Sequence, residues 1–428
     1  MFEKLVQIWK TPDLRKNILF VLAMLGIFRL AAHIPIPGVD ATQLKSFFAS
    51  NQILGLLNIL SGGGLENFSI VMLGVAPYIT ASIIMQLLTM IVPKLEELSK
   101  EGEYGQQKIN QYTRWLTVPL AVLQSYSFIQ LLRSNAQLKF LAHVDTWQMI
   151  TAIITVTAGT MFLMWIGELI SERKIGNGIS LLIFAGIVAA IPQTIQRTFI
   201  SGFYDSSQIV TFVLFVVVSI IATAAVVIVT EAQRNIPITY ARMVRGNKSL
   251  GGASTFLPLR LLQAGVIPII FAISLIAFPP MIAQFFLRSQ AVWMQNVAQF
   301  TIDLFQNNSL FYGAFYFILV FAFTYFYTAV IFHPAKISEN LQKQGAFIPG
   351  IRPGNHTSEY LGSTMNKIVL AGALFLAIIA ILPLLLQLLT KSQSMVIGGT
   401  SLLIVVSVVI ETVNQINAQM VMRDYDEL

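Results

Sequence analysis

The sequence predicts an all-α membrane protein with ten transmembrane helices in two inverted five-helix pseudo-repeats. Composition comes first. Of 428 residues only 11% are charged and 55% are apolar, and the mean hydropathy is +0.72. Soluble domains carry about 25% charged residues, so a soluble globular fold is excluded: so little polar surface could not cover so much apolar surface. Intrinsic disorder fails on the same numbers. Second, the apolar residues gather in ten continuous runs, at roughly 16–33, 70–92, 115–132, 149–170, 178–196, 208–230, 261–286, 310–332, 368–389 and 394–413. Each suits a bilayer span, which takes about 17–25 residues; a β-barrel would show short alternating segments instead. Third, two segments of the first five spans recur at corresponding places in the second five.

Taken in order, the chain opens with Phe2, Leu5, Val6 and Trp9 on one helical face, a pattern for a short helix lying on the membrane interface. No cleavable signal peptide is visible. Thr11-Pro12-Asp13 supplies an N-cap, a proline at the first helical position and an acid in the first turn, so span 1 begins there. Lysine and arginine set the orientation. The N-terminus, the loops after spans 2, 4, 6 and 8 and the tail carry 20 of them, and the opposite loops carry 6. The first side is therefore cytoplasmic and both termini lie there. The net charge of +7 reflects this topology and needs no nucleic-acid partner.

After span 1, Pro35 and Pro37 force an extended exit. Ser61-Gly62-Gly63-Gly64 then forms a glycine hinge ahead of Leu65-Glu66-Asn67-Phe68. A flexible loop and a mobile segment folding back into an outer funnel both fit. Span 2 holds Gly74-Val75-Ala76-Pro77-Tyr78-Ile79-Thr80-Ala81. Span 7 holds Gly265-Val266-Ile267-Pro268-Ile269-Ile270-Phe271-Ala272, identical at five of these eight positions. Ser180-Leu181-Leu182-Ile183 in span 5 recurs as Ser401-Leu402-Leu403-Ile404 in span 10, with Gly178 and Gly399 at the same offset. Five is odd, so the second copy sits upside down. Glycine and proline interruptions at matching places point to a site between the halves near the midplane; ordinary kinks are the other reading. Val75 and Ile79 share a helix face, as do Ile179 and Ile183, so the site is lined by branched aliphatics.

The spans lack the midway Asp, Glu, His or Lys of ion-coupled transporters. Arg29 lies near the outer end of span 1, within snorkelling reach, and Glu168 and Glu411 lie near cytoplasmic ends. An aliphatic constriction gates by dewetting and selects poorly among polar solutes. It suits a cargo whose chemistry varies along its length. The loops at about 231–260 and 333–367 are long and basic, which suggests docking to an acidic partner or anionic lipid. Neither has a P-loop pattern. There is no cysteine, and His33, His143, His333 and His356 lack metal-ligand spacing. The chain is thus expected to be no enzyme and to need no metal or cofactor. A secondary transporter for a small amphipathic solute and a structural scaffold remain as other readings.

Several of these segments resemble the SecY family, the large channel subunit of the bacterial Sec protein translocase. They include Phe28-Arg29 with His33-Ile34-Pro35-Ile36-Pro37-Gly38, the segment Asn58 to Gly63, Gly74 to Leu88, Lys100-Glu101-Gly102-Glu103, Gln111-Tyr112-Thr113-Arg114, Gly159 to Gly167, Gly176-Asn177-Gly178-Ile179-Ser180, Gly265 to Pro268, Gly345 to Gly354 and Gly398 to Val406. The resemblance runs from about Leu14 to Met420. It implies an hourglass pore for unfolded secretory proteins in the bacterial cytoplasmic membrane, with halves 1–205 and 206–428. It implies a waist of Val75, Ile79, Ile179, Ile183, Ile270 and Ile404. A plug would span about 58–70, including Asn58, Ser61, Gly62, Gly63, Gly64, Leu65 and Phe68. A lateral gate would open between spans 2 and 3 and spans 7 and 8, with hinge positions Gly74, Pro77, Gly265 and Pro268. Arg242, Arg245, Lys248 and Arg352 would dock the motor ATPase SecA or a ribosome. Small subunits SecE and SecG, signal-bearing precursors and lipid are the other implied partners.

Overall fold

The computed structural model describes residues 9–36, 58, 61–134, 145–204, 206–240, 243–245, 248–250, 254–263, 265–287, 291–306, 309–390 and 396–426. Helices stand at all ten apolar runs. Spans 1 to 5 are Pro12–Ala31, Ala76–Ile91, Glu103–Ser134, Thr146–Glu172 and Gly178–Tyr204. Span 6 is Ser206–Glu231, and span 7 is the pair Ile267–Ile276 and Phe278–Phe286. Spans 8 to 10 are Ser309–Ile331, Asn355–Thr390 and Val396–Asp426. Several overrun the apolar stretches at their polar ends, because a helix need not stop where the lipid does. Span 6 exposes Val217, Ile220, Ile221 and Ile228; such a contiguous apolar surface is tenable only against lipid.

Span 1 starts where Thr11-Pro12-Asp13 predicts, with Thr11 at the N-cap and the proline in the first turn. Phe2, Leu5 and Val6 lie outside the described residues, as do His143 and the segment 37–57. Span 2 ends at Val92, whose extended backbone precedes Pro93. The chain there bends by 100° into the surface helix Pro93–Lys100. Span 4 opens with a reciprocal cap: Asp145 accepts from the first-turn backbone and Gln148 accepts from the Asp145 N–H.

Neighbour relations repeat between the halves. In the first five spans, 1 packs against 4 and 5, 2 against 3, 3 against 4, and 4 against 5. In the second five, 6 packs against 9 and 10, 7 against 8, 8 against 9, and 9 against 10. The halves meet along two seams. One joins span 7 to spans 2 and 3, and the other joins span 5 to spans 6 and 10.

The loops after spans 6 and 8 contain strands that their sequence does not announce. They are β1 (Gln233–Tyr240), β2 (Met243–Arg245), β3 (Lys248–Leu250), β4 (Ser254–Arg260) and β5 (Ala346–Phe347). β1 pairs antiparallel with β4 and, through Thr239 and Tyr240, with β5; β2 and β3 form a separate hairpin. The loop after span 8 also contains the helix Pro334–Lys343, and the helix Val292–Gln306 precedes span 8.

Candidate functional site: an apolar waist beneath a folded segment

The two Gly-Val-x-Pro segments build the same turn. Gly74 has φ +58° and Gly265 φ +57°. Val75 (φ −96°, ψ 6°) and Val266 (φ −90°, ψ −7°) are the N-cap residues, and a proline occupies the first turn of each helix. The first ladder bonds also match: Ile79 N–H donates to Val75 O (3.0 Å) and Ile270 N–H to Val266 O (3.2 Å). Neither Pro77 nor Pro268 therefore interrupts a helix. Each begins one, where its missing N–H costs nothing. Residues 70–75, predicted as the outer end of span 2, form turns instead.

The two turns set Val75, Ile79 and Ile270 at helix starts, and spans 5 and 10 bring Ile179, Ile183 and Ile404. Val75, Ile79, Ile183, Ile270 and Ile404 are buried in a single apolar cluster, Ile183 and Ile404 to 1% exposure, and Ile179 packs against it. Val75, Ile79 and Ile183 also line a cavity of about 80 Å³ together with Ser61 and Leu65 from the predicted plug. Gln124 from span 3 and Ser274, Phe278 and Met281 from span 7 complete its wall along the seam between the halves. The polar groups there are few. Thr80 Oγ1 donates to Ala76 O (3.0 Å) and sits 3.5 Å from the donating Nε2 of Gln124. Among the described residues no charged side chain lines this cavity.

The predicted plug is folded. Asn58 Oδ1 accepts from the Glu66 N–H (2.9 Å) and its Nδ2 donates to the Glu66 carboxylate (3.0 Å). The Gly63 N–H and the Ser61 hydroxyl both donate to Asn58 O, at 2.8 and 2.9 Å. Gly62 and Gly63 supply the positive φ of +70° and +80° that these turns need. Gly64 accepts from the Ser69 N–H at 2.9 Å. Leu65 and Phe68 are each 2% exposed. They form a second cluster with Ile36, Met72 and the outer ends of spans 3 and 4. Burying two such side chains is worth about 1.5–3 kcal/mol each. The glycine-rich stretch is thus a compact knot seated among spans 1, 3 and 4.

The residues expected to dock a partner belong to the loops after spans 6 and 8. Arg245 and Lys248 pair across the tip of the β2–β3 hairpin, and Arg242 lies outside the described residues. Arg352 is exposed, and its backbone is held by the Thr357 hydroxyl donating to Arg352 O (2.9 Å). The sheet β4–β1–β5 joins the two basic loops into one platform. Ile236, Leu259 and Ile348 anchor it on spans 8 and 9. The alternation Ile236-Pro237-Ile238 was the available signal, since both isoleucines are buried and the proline exposed. Sequence reading also missed the partner of Glu168, whose carboxylate accepts from Arg114 Nε (2.7 Å) and ties the end of span 4 to the first part of span 3.

The SecY family model matches residues 69–413. The protein translocase subunit SecY of Streptomyces galbus is 42% identical over 100% of this chain and 99% of its own length. The SecY of Corynebacterium glutamicum is 42% identical over 99% of each chain. A solved protein-conducting channel superposes with a TM-score of 0.63, at 16% identity, over 94% of this chain and 91% of its own. Sec61 from a canine ribosome–channel complex gives 0.58 at 15% identity, with the same coverage. Fold and site together define a polytopic helical channel of the protein-translocating class. Within that class, the chain belongs to the SecY family.

Proposed function

We propose that this chain is the passive pore of a bacterial Sec translocase, through which unfolded secretory proteins cross the cytoplasmic membrane and apolar segments pass sideways into lipid. One observation carries this reading: all six branched aliphatics named from the sequence fall in or against one apolar cluster, and the folded segment 61–69 shares a cavity wall with three of them. A ring of aliphatics offers no hydrogen bonds to ions and dewets when empty. It can close around a polypeptide of any sequence.

The halves 1–205 and 206–428 then move as units, with Gly74, Pro77, Gly265 and Pro268 at the helix starts that flex. The seam between span 7 and spans 2 and 3 is the lateral gate. A signal's apolar core partitions through it because each Leu, Ile or Phe favours lipid by about 0.3–0.6 kcal/mol, whereas a central Asp, Lys or Arg costs about 2.5–3.5 kcal/mol. In this reading Arg242, Arg245, Lys248 and Arg352 are the contacts for SecA or a ribosome docking beside the β4–β1–β5 platform, and SecE and SecG complete the membrane complex. Both termini are cytoplasmic by the distribution of lysine and arginine. The motor supplies the energy and the chain itself performs no catalysis. A solved SecY structure described as having a plug domain that stabilises the closed state shares this fold with a TM-score of 0.63. The segment 58–70 takes that role in this reading.

The test is single-channel conductance in planar bilayers, wild type against a deletion of residues 61–66. A silent wild type and a large, poorly selective conductance in the deletion are expected. If the deletion is also silent, with insertion confirmed, the plug assignment fails and a solute transporter becomes the better reading.

A further inference from the structure

The glycine stretch has a partner that its sequence does not advertise. Span 1 ends in Phe28-Arg29, and the Arg29 guanidinium donates to the carbonyl of Gly62. The ring of Phe28 lies directly under the same residue: a Cβ on Gly62 would sit 2.6 Å from Phe28 Cζ and 3.2 Å from the Gly186 Cα of span 5. Only glycine fits there, in both space and φ. A few residues on, the exit of span 1 pairs with the far end of the segment. Ile36 N–H donates to Phe68 O (2.9 Å), Ile70 N–H donates to Ile34 O (3.1 Å), and Pro35 bridges Ser69.

These two attachments differ in kind. The second is backbone pairing in which Ile36, Phe68 and Ser69 are at most 5% exposed while Ile34 is 51% exposed, and its two bonds must part together before the strand-like contact is lost. The first is one charged donor on one carbonyl, made by a side chain that is only partly buried at the outer end of its helix. Breaking it returns the guanidinium to water and leaves little uncompensated charge. A charge in a span is costly unless paired or solvated, and Arg29 has a partner in one position of the segment and water in the other.

Resting on the plug reading above, we propose that Arg29 is the releasable latch of the plug. It holds the Gly62 end while the Ile34–Ile36 pairing with Phe68–Ile70 is the fixed end about which the segment swings. Arg29 is a positioning residue: it acts through Gly62, and Phe28 shapes the seat. The glycines are then the seat of the latch, and the pivot lies at Phe68–Ile70.

The chain has no cysteine, so single reporters are clean. Ser61→Cys and Ser69→Cys are each made with Arg29 and with Arg29→Gln in the full translocase, and labelled from outside with a membrane-impermeant maleimide. Losing one charge-assisted bond is expected to speed labelling at position 61 by about tenfold and to leave position 69 slow. Resting channel openings rise in the same proportion. Equal labelling at position 61 with and without Arg29 would overturn the latch. Acceleration at both positions together would overturn it too, since Arg29 would then support packing in general. The deletion of residues 61–66 judges the plug reading separately. If that deletion is silent the seal is lost as an idea, while the labelling ratio still decides whether Arg29 holds the segment.

Discussion

The turns at Gly74 and Gly265 have nearly the same backbone and opposite surroundings. Both place glycine at φ close to +58°, valine at the N-cap and proline in the first turn. Ahead of Gly74 the chain is a knot of turns seated on Phe28 and Arg29 at the outer end of span 1. Ahead of Gly265 it is β4, part of a sheet packed on the end of span 8 and the first turns of span 9. The local sequence dictates where each helix starts. What is spliced in before the start differs between the halves, a knot of turns in the first and a sheet in the second. On the proposed reading of the knot as a seal and the sheet as a docking platform, duplication and inversion put the two at opposite faces of one pore.

The largest test of this comparison asks whether the prolines are starts or kinks. Ala81 and Ala272 sit four residues after Pro77 and Pro268, and both are fully buried. Proline at either position removes an interior ladder bond and meets the carbonyl four residues back, at about 3 kcal/mol or more. Ala81→Pro and Ala272→Pro should therefore each lose most folded protein, read as monodisperse yield and melting temperature in detergent. Pro77→Ala and Pro268→Ala should lose little. A tolerated Ala81→Pro would mean that span 2 is not a continuous helix from Ala76, and the match between the turns would be superficial.

An intermediate effect is expected at the second matched pair. Ile183 and Ile404 occupy the same place in Ser-Leu-Leu-Ile and are both 1% exposed. Asparagine at either site buries an amide at about 1–3 kcal/mol if unpartnered, and it gives water a foothold in the waist. Ile183→Asn and Ile404→Asn should both raise resting ion conductance while the protein still inserts. Leakage from one and not the other would break the equivalence of the halves at the seal.

Much of this was legible because bilayer spans and a sequence repeat are local signals. Helices stand at all ten runs, with span 7 split into two, and the repeat alone pairs Ile79 with Ile270 and Ile183 with Ile404. The beginning of span 2 was misjudged because residues 70–75 are apolar, and hydropathy does not distinguish a buried turn from a helix. Nor could the platform be read as one body. Thr239 and Tyr240 pair with residues 346 and 347, a separation at which sequence carries no pairing signal. Arg29 drew attention as a charge within snorkelling reach, but its acceptor is a backbone carbonyl, which every residue offers and no motif marks.

The smallest expected effect is also the sharpest comparison. Alanine at a backbone of φ near +58° costs about 1–2 kcal/mol through its Cβ alone. At Gly265 nothing lies within 4 Å of the new Cβ, so Gly265→Ala should show that strain and no more, with resting conductance unchanged. Gly74→Ala carries the same strain, and its turn is bonded to the segment above: the Gly74 N–H donates to Val71 O (2.9 Å), and the Met72 N–H to Ser69 O (3.0 Å). If the two variants lose equal stability and both stay electrically silent, the turn is a local device reused in each half. If Gly74→Ala alone conducts at rest, strain in the turn reaches the segment above. The helix start of span 2 would then be coupled to the seal, so that parting the halves and lifting the plug are one motion.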